Sequence, residues 1–317
     1  MDRRRFLAAS AALALSARPL DALAAGNRRL VVLATADLEG RLIAVDLETG
    51  ATLKRIPTTA YPRSIETVAN TAVVAHSEMG TVSLIDGATL QVRHVLDGFG
   101  EPRYTAGHPN GRIAYVTDAA RGELIAIDIN QGRVLTREQV GLLARHLSIN
   151  KSGTRIWAAL GPKAEAIAII DVSTPDRPRL LNQIRPPFLA HDVVWAPGGH
   201  HIWVSSGDTH ALLIYTPAGQ VIARLPADGP PQHISFDPTT AYVTSGLSGT
   251  FRRHTLHGHR LSMTRIPEGS YNVQYAHQRV VTPALGHGSL CILSPAGSLL
   301  HREQIANSSH DACIVVA

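Results

Sequence analysis

Val82-Ser83-Leu84-Ile85-Asp86 recurs in altered form as Leu42-Ile43-Ala44-Val45-Asp46, Leu124-Ile125-Ala126-Ile127-Asp128 and Ile167-Ala168-Ile169-Ile170-Asp171. The four aspartates are 40, 42 and 43 residues apart. The register continues without the carboxylate through Leu213-Ile214-Tyr215, Arg253-His254-Thr255 and Cys291-Ile292-Leu293-Ser294. Self-similarity at about forty residues marks a propeller or a stacked array. Around each apolar phrase the order is constant. A short run such as His233-Ile234-Ser235-Phe236 turns into a second, Ala241-Tyr242-Val243-Thr244. A loop, the apolar phrase, a turn and an outer run like Val221-Ile222-Ala223-Arg224-Leu225 complete the unit. Four short β-runs bounded by Gly, Pro, Asn and Asp form one antiparallel blade. Helical periodicity is absent beyond the N-terminus, which rejects a helical-repeat array.

Setting aside the first 24 residues leaves 293, or seven units of about 42. The reading is an all-β, seven-bladed propeller of four-stranded antiparallel blades, one domain over residues 25–317. The repeat begins in mid-blade: Leu30 to Ala34 reads as a second strand and Cys313 to Val316 as a first strand. The C-terminal strand is therefore expected to complete the N-terminal blade, closing the ring and removing exposed edges. With 44% hydrophobic and 17% charged residues the chain is not disordered. Its formal charge of +5, partly from the N-terminal segment, is too small and scattered for nucleic-acid binding. Two cysteines, Cys291 and Cys313, exclude a disulfide scaffold and a cysteine-rich zinc site. Whether those two pair is left open.

Ile113-Ala114-Tyr115-Val116-Thr117-Asp118 and Ala241-Tyr242-Val243-Thr244, with the apolar phrases after them, resemble YVTN-type propeller repeats. That group includes surface-layer, lactonase-like and quinoprotein-like propellers. The resemblance spans nearly the whole chain after residue 24 and implies a fold, not an activity. Arg3-Arg4-Arg5-Phe6-Leu7, followed by an Ala/Leu run, resembles a twin-arginine export signal, lacking the Ser/Thr before the pair and the Lys after the Leu. Ala22-Leu23-Ala24 offers a small-x-small cleavage site. The apolar run is broken by Arg18, Pro19 and Asp21 and is too short to span a bilayer. Residues 1–24 are thus expected to be removed, giving a periplasmic, monomeric protein with no membrane insertion. The resemblance further implies passage in a folded state, often with a cofactor or metal already inserted.

Stacking the units at the entrance to the innermost strand gives Arg63, Arg103, His146, His191, His233, Asn272 and His310. The spacings of 40, 43, 45, 42, 39 and 38 follow the repeat. Innermost strands line the axis of a propeller, so these side chains are expected to meet at one mouth. Neutral imidazole is a common ligand for transition metals. His146, His191 and His233 form the expected metal set, with His310 as a fourth ligand or a proton-transfer group. Arg63 and Arg103 suit an anionic carboxylate or phosphate opposite the metal. Six cation-capable groups repel one another unless a metal or anion joins them or the histidines are neutral. The alternative reading is that His and Arg merely cap the strand entrances by hydrogen bonds.

Tyr104 is a candidate proton donor in the funnel, although packing between blades is the favoured reading. Asp192 and Asp311 each follow a ring histidine and are candidates to orient an imidazole. His76, Asp118, Asp208, His210 and His287 are outer candidates on the same face. Asp46, Asp86, Asp128 and Asp171 end third strands and are read as Asx-turn residues. His254, His257 and His259 are expected to be an exposed hairpin cluster, and His200-His201 to lie on the opposite face. No serine-hydrolase, nucleotide-loop or zinc-protease motif occurs. Two functions lead: a metal-binding propeller, potentially an enzyme, acting on a small anionic ligand, or a protein for an anionic haem-type cofactor resembling d1-haem propellers. A non-enzymatic scaffold for a protein partner is the third reading, and a lactonase-like hydrolase, on fold analogy alone, the fourth.

Overall fold

The computed structural model describes residues 28–161 and 165–317; the segment read as an export signal lies outside them. These residues form seven four-stranded antiparallel sheets arranged in a ring, a seven-bladed β-propeller. Blade 1 runs from axis to rim as Ala312–Val316, Leu30–Ala36, Arg41–Asp46 and Thr52–Pro57. The ring therefore closes as expected, with the C-terminal strand pairing antiparallel to the first, Val32 opposite Ile314 and Ala34 opposite Ala312. The innermost strands of blades 2 to 7 are Ser64–Val68, Pro102–Gly107, Ala144–Ile149, Ala190–Trp195, Ile234–Phe236 and Gln274–Ala276.

Middle strands are covered on both faces by neighbouring blades, and that is why their sequences are continuous apolar runs rather than alternating ones. Leu124 and Ala126 face blade 4, whereas Ile125 and Ile127 face blade 2. Each of the seven interfaces between blades has its own apolar cluster, the largest side chains being Trp157 and Trp203. Outer strands alternate instead. Gln91–Leu96 places every second residue in solvent, which explains their weaker sequence signal.

The four aspartates of the repeat close turns. Asp46, Asp86 and Asp128 each accept the backbone N–H groups two and three residues onward, and Asp171 accepts that of Ser173 at 3.1 Å. Hydroxyls then fasten one blade to the next. Ser64, Thr117, Ser205 and Thr244 donate to the carbonyls of Arg103, Arg145, Gln232 and Tyr271, each at the entrance of the following blade. Cys291 and Cys313 are free, buried thiols in different blades.

Candidate metal centre

Three of the innermost strands carry a β-bulge at the same place. Pro102 pairs with Asp118 and Thr105 with Val116, so Arg103 and Tyr104 together face Thr117 alone. Arg145 and His146 likewise oppose Ala159, and His191 and Asp192 oppose Ser205. A bulge re-aims side chains and ends regular pairing, and such bulges concentrate near functional sites. Here they deliver two consecutive residues per blade to the mouth of the axis.

His146, His191 and His233 converge there. Each offers a ring nitrogen, and the three lie within 4.8 Å of one another. Ring centroids are 4.6 Å apart for His146 and His191, 4.7 Å for His146 and His233, and 5.2 Å for His191 and His233. His146 is 2% exposed. Both of its ring nitrogens, and Nδ1 of His191, lack a hydrogen-bond partner. Leaving a buried polar atom unsatisfied costs about 1–3 kcal/mol, so packing three imidazoles this way is unfavourable unless a ligand joins them. Tetrahedral coordination at about 2.0–2.1 Å sets nitrogens about 3.3 Å apart, so a bound ion would draw these rings closer together.

The charge state fits. Burial first, then neighbouring imidazoles and the Arg145 guanidinium, hold His146 and His191 well below the usual imidazole range. His233 is pushed down to about 3 by burial and Arg145. Neutral imidazoles are the metal-ligating form and remove the repulsion expected of a cationic ring. His310 is also buried and pushed well down, but it stands apart from the three, its Nδ1 2.9 Å from the Arg63 carbonyl. The Asp192 carboxylate approaches Nδ1 of His233 at 3.7 Å while accepting the Ile234 N–H at 3.0 Å.

Tyr104 packs against the apolar cluster between blades 3 and 4, as expected, and the bulge also brings its ring onto His146, centroid to centroid 3.7 Å. Arg63 and Arg103 remain at the mouth, with Arg63 3.9 Å from Asp37 and Arg103 3.0 Å from Glu101. Arg145 joins them: it and Arg103 both act on His146 and on Tyr104. By strand register Arg145, not His146, is level with Arg103 and His191, so an alignment that took one residue per blade and put His146 there passed over it.

The outer candidates fall away from the cluster. His76 is buried, with Nδ1 3.1 Å from the Ala60 carbonyl and Nε2 2.9 Å from the Ser83 hydroxyl. Asp118 accepts the Gly100 and Glu101 N–H groups, and Asp208 accepts the Ser206 hydroxyl at 2.8 Å. His210 and His287 are exposed. The hairpin histidines are not all exposed as expected: His254 is buried against Trp203, centroids 5.9 Å apart, because it falls on an inward position of its strand. His257 and His259 are in solvent.

Beneath the imidazoles a cavity of about 500 Å³ runs along the axis, with His146, His233 and Tyr104 at one end. Glu66, Asp192, Asp311 and Gln274 line its wall. Glu66 and Gln274 were not among the sequence candidates, since they lie deeper along their strands than the aligned entrance position.

No protein-family model matches the chain, and no curated protein matches it in sequence. Solved structures are similar to it in fold. The hydrazine synthase of Kuenenia stuttgartiensis superposes with a TM-score of 0.75 at 16% identity, covering 84% of this chain and 93% of that one. A functionally unknown protein of Desulfotomaculum acetoxidans gives 0.79 at 11% identity, covering 90% and 98%. Apo AztD from Citrobacter koseri gives 0.71 at 10% identity, covering 91% and 98%. At these identities the likeness shows the propeller fold alone.

Proposed function

We propose that this chain is an exported propeller that binds a transition-metal ion and, beside it, a small anion. His146, His191 and His233 hold the ion, leaving a coordination position free for the anion or for water. The ion would polarise that ligand as a Lewis acid. Arg63, Arg103 and Arg145 bind the anion, being permanently charged and shaped for paired oxygens. Tyr104, its ring 3.7 Å from that of His146, donates a proton to the bound ligand. One observation carries the reading: three neutral imidazoles, His146 and His233 buried and His191 half-buried, bring ring nitrogens within 4.8 Å of one another, and both nitrogens of His146 and Nδ1 of His191 lack a partner. The paired arginines at Arg3 to Arg5 support export in the folded state, a route compatible with prior metal loading.

The test is metal content. Protein recovered from its exporting host should carry about one equivalent of a transition metal, and the variant His146→Ala/His191→Ala/His233→Ala should carry none. Equal, substoichiometric metal in both proteins would end the proposal.

A further inference from the structure

The axial cavity has chemistry of its own, opposite in character to the mouth above it. No arginine is among the described residues that line it, and its one amine, Lys151, follows the end of an inner strand. At about 500 Å³ it suits a small organic molecule rather than a bare ion. Three carboxyl side chains line its wall, but two are committed to the backbone. Asp192 accepts the N–H groups of Val193 at 2.9 Å and Ile234 at 3.0 Å. Asp311 accepts those of Ala312 at 2.7 Å and Ile65 at 3.1 Å. Each thereby ties its own inner strand to the next blade.

Glu66 differs. Both of its hydrogen bonds, from the Thr67 N–H at 3.0 Å and from Nε2 of Gln274 at 2.9 Å, fall on Oε1. Donating to Glu66 fixes the Gln274 amide, whose own buried Oε1 is left without a donor. Glu66 follows the entrance residue Arg63 by three positions and Gln274 follows Asn272 by two, placing them about 7–10 Å down the axis. Near the far ends of the inner strands stand Trp195, Phe236 and Tyr275, also lining the cavity. Buried acceptors require hydrogen-bond donors, a carboxylate favours a charged donor over a neutral one, and an aromatic lining attracts a cation.

We propose that the axial cavity binds a small primary amine as its ammonium ion, with Glu66 and the Gln274 amide oxygen accepting its N–H groups and Trp195, Phe236 and Tyr275 covering its organic part. A quaternary ammonium offers no N–H to either acceptor and does not fit this description. Burial pushes Glu66 up to about 7, the state of a carboxyl lacking a counter-cation, which an ammonium would supply. The proposal does not depend on a metal being bound above.

Isothermal titration of the full exported protein, with its metal content measured on the same sample, tests it. Butylammonium chloride should bind, and butyltrimethylammonium, butyrate and butanol should bind at least about tenfold more weakly. Glu66→Gln should weaken butylammonium at least about tenfold while melting temperature and metal content stay as in wild type. Gln274→Leu should also weaken it, and decides the matter alone if the Glu66 variant does not fold. Equal affinity for the quaternary ion, butyrate or butanol overturns the proposal, as does unchanged affinity in the folded variants or no butylammonium binding up to the probe's solubility. Metal content is read separately, so either the metal reading or the amine site can fail without the other.

Discussion

His146 carries two buried ring nitrogens without partners, whereas His310, just before the inner strand of blade 1, spends Nδ1 on a carbonyl. The two should therefore behave differently. His146→Ala is expected to weaken cobalt binding by at least about 100-fold, at or beyond the loss typical of a supporting residue, and His310→Ala far less. A titration followed by the cobalt absorption band distinguishes them; equal losses would make His310 a full ligand. Structural histidines give a pH prediction. Burial pushes His76 and His254 down to about 4, while in the unfolded chain they titrate near 6.5. The unfolded state thus takes up protons first, and stability falls as pH drops from about 6.5 toward 4, by up to about 1.4 kcal/mol per pH unit for each. Glu66, raised to about 7, acts with the opposite sign, losing stability as pH rises toward that value. Comparing urea midpoints of wild type and His76→Gln isolates the imidazole: the variant's decline should be shallower, and an unchanged slope would show that His76 is not the group responsible. The turn aspartates were legible from the sequence because their role is local. Asp128, with two backbone donors and Arg112 at 2.8 Å, is expected to cost about 1–2 kcal/mol on change to Ala, measured by denaturation.

At the scale of elements, the repeat told which strand each histidine opens, since a period of about forty residues brings equivalent positions to equivalent places. It did not tell how the strand begins. Three bulges in consecutive blades turn pairs of residues inward, so Tyr104 meets His146 and Arg145 joins Arg103. A bulge depends on the pairing of two strands, and no single run of residues announces it. Glu66 and Gln274 escaped for a related reason: their partnership crosses 208 positions and exists only once the ring has closed. The extra arginine has a measurable consequence. Arg145→Gln should leave cobalt binding intact while weakening phosphate binding to the cobalt-loaded protein at least about tenfold, seen as a smaller shift of the cobalt band. Phosphate affinity equal to wild type would remove Arg145 from the anion site.

For the whole molecule, the site exists only because the ring is closed. His310 and Asp311 immediately precede the last strand, and Asp311 ties blade 1 to blade 2 through the Ile65 N–H. Asn70 bonds Val316 in both directions at 2.8 Å, and Thr67 donates to the Ile314 carbonyl, also at 2.8 Å. The closing strand is thus held on one side by Leu30–Ala36 and on the other by blade 2. Cys313, Ile314 and Val315 are buried, and burying a large aliphatic side chain contributes about 1.5–3 kcal/mol. Against a net stability of about 5–15 kcal/mol for a typical domain, losing this strand is ruinous: it also leaves Leu30–Ala36 as a long apolar edge, open to pairing with another chain. Deletion of Asp311 to Ala317 should abolish the cooperative melting transition and yield aggregates by light scattering. Because His146, His191 and His233 come together only in the folded ring, the deletion should remove metal binding as well. A truncated protein that remained soluble and melted cooperatively would mean that six blades hold the axis without the closing strand.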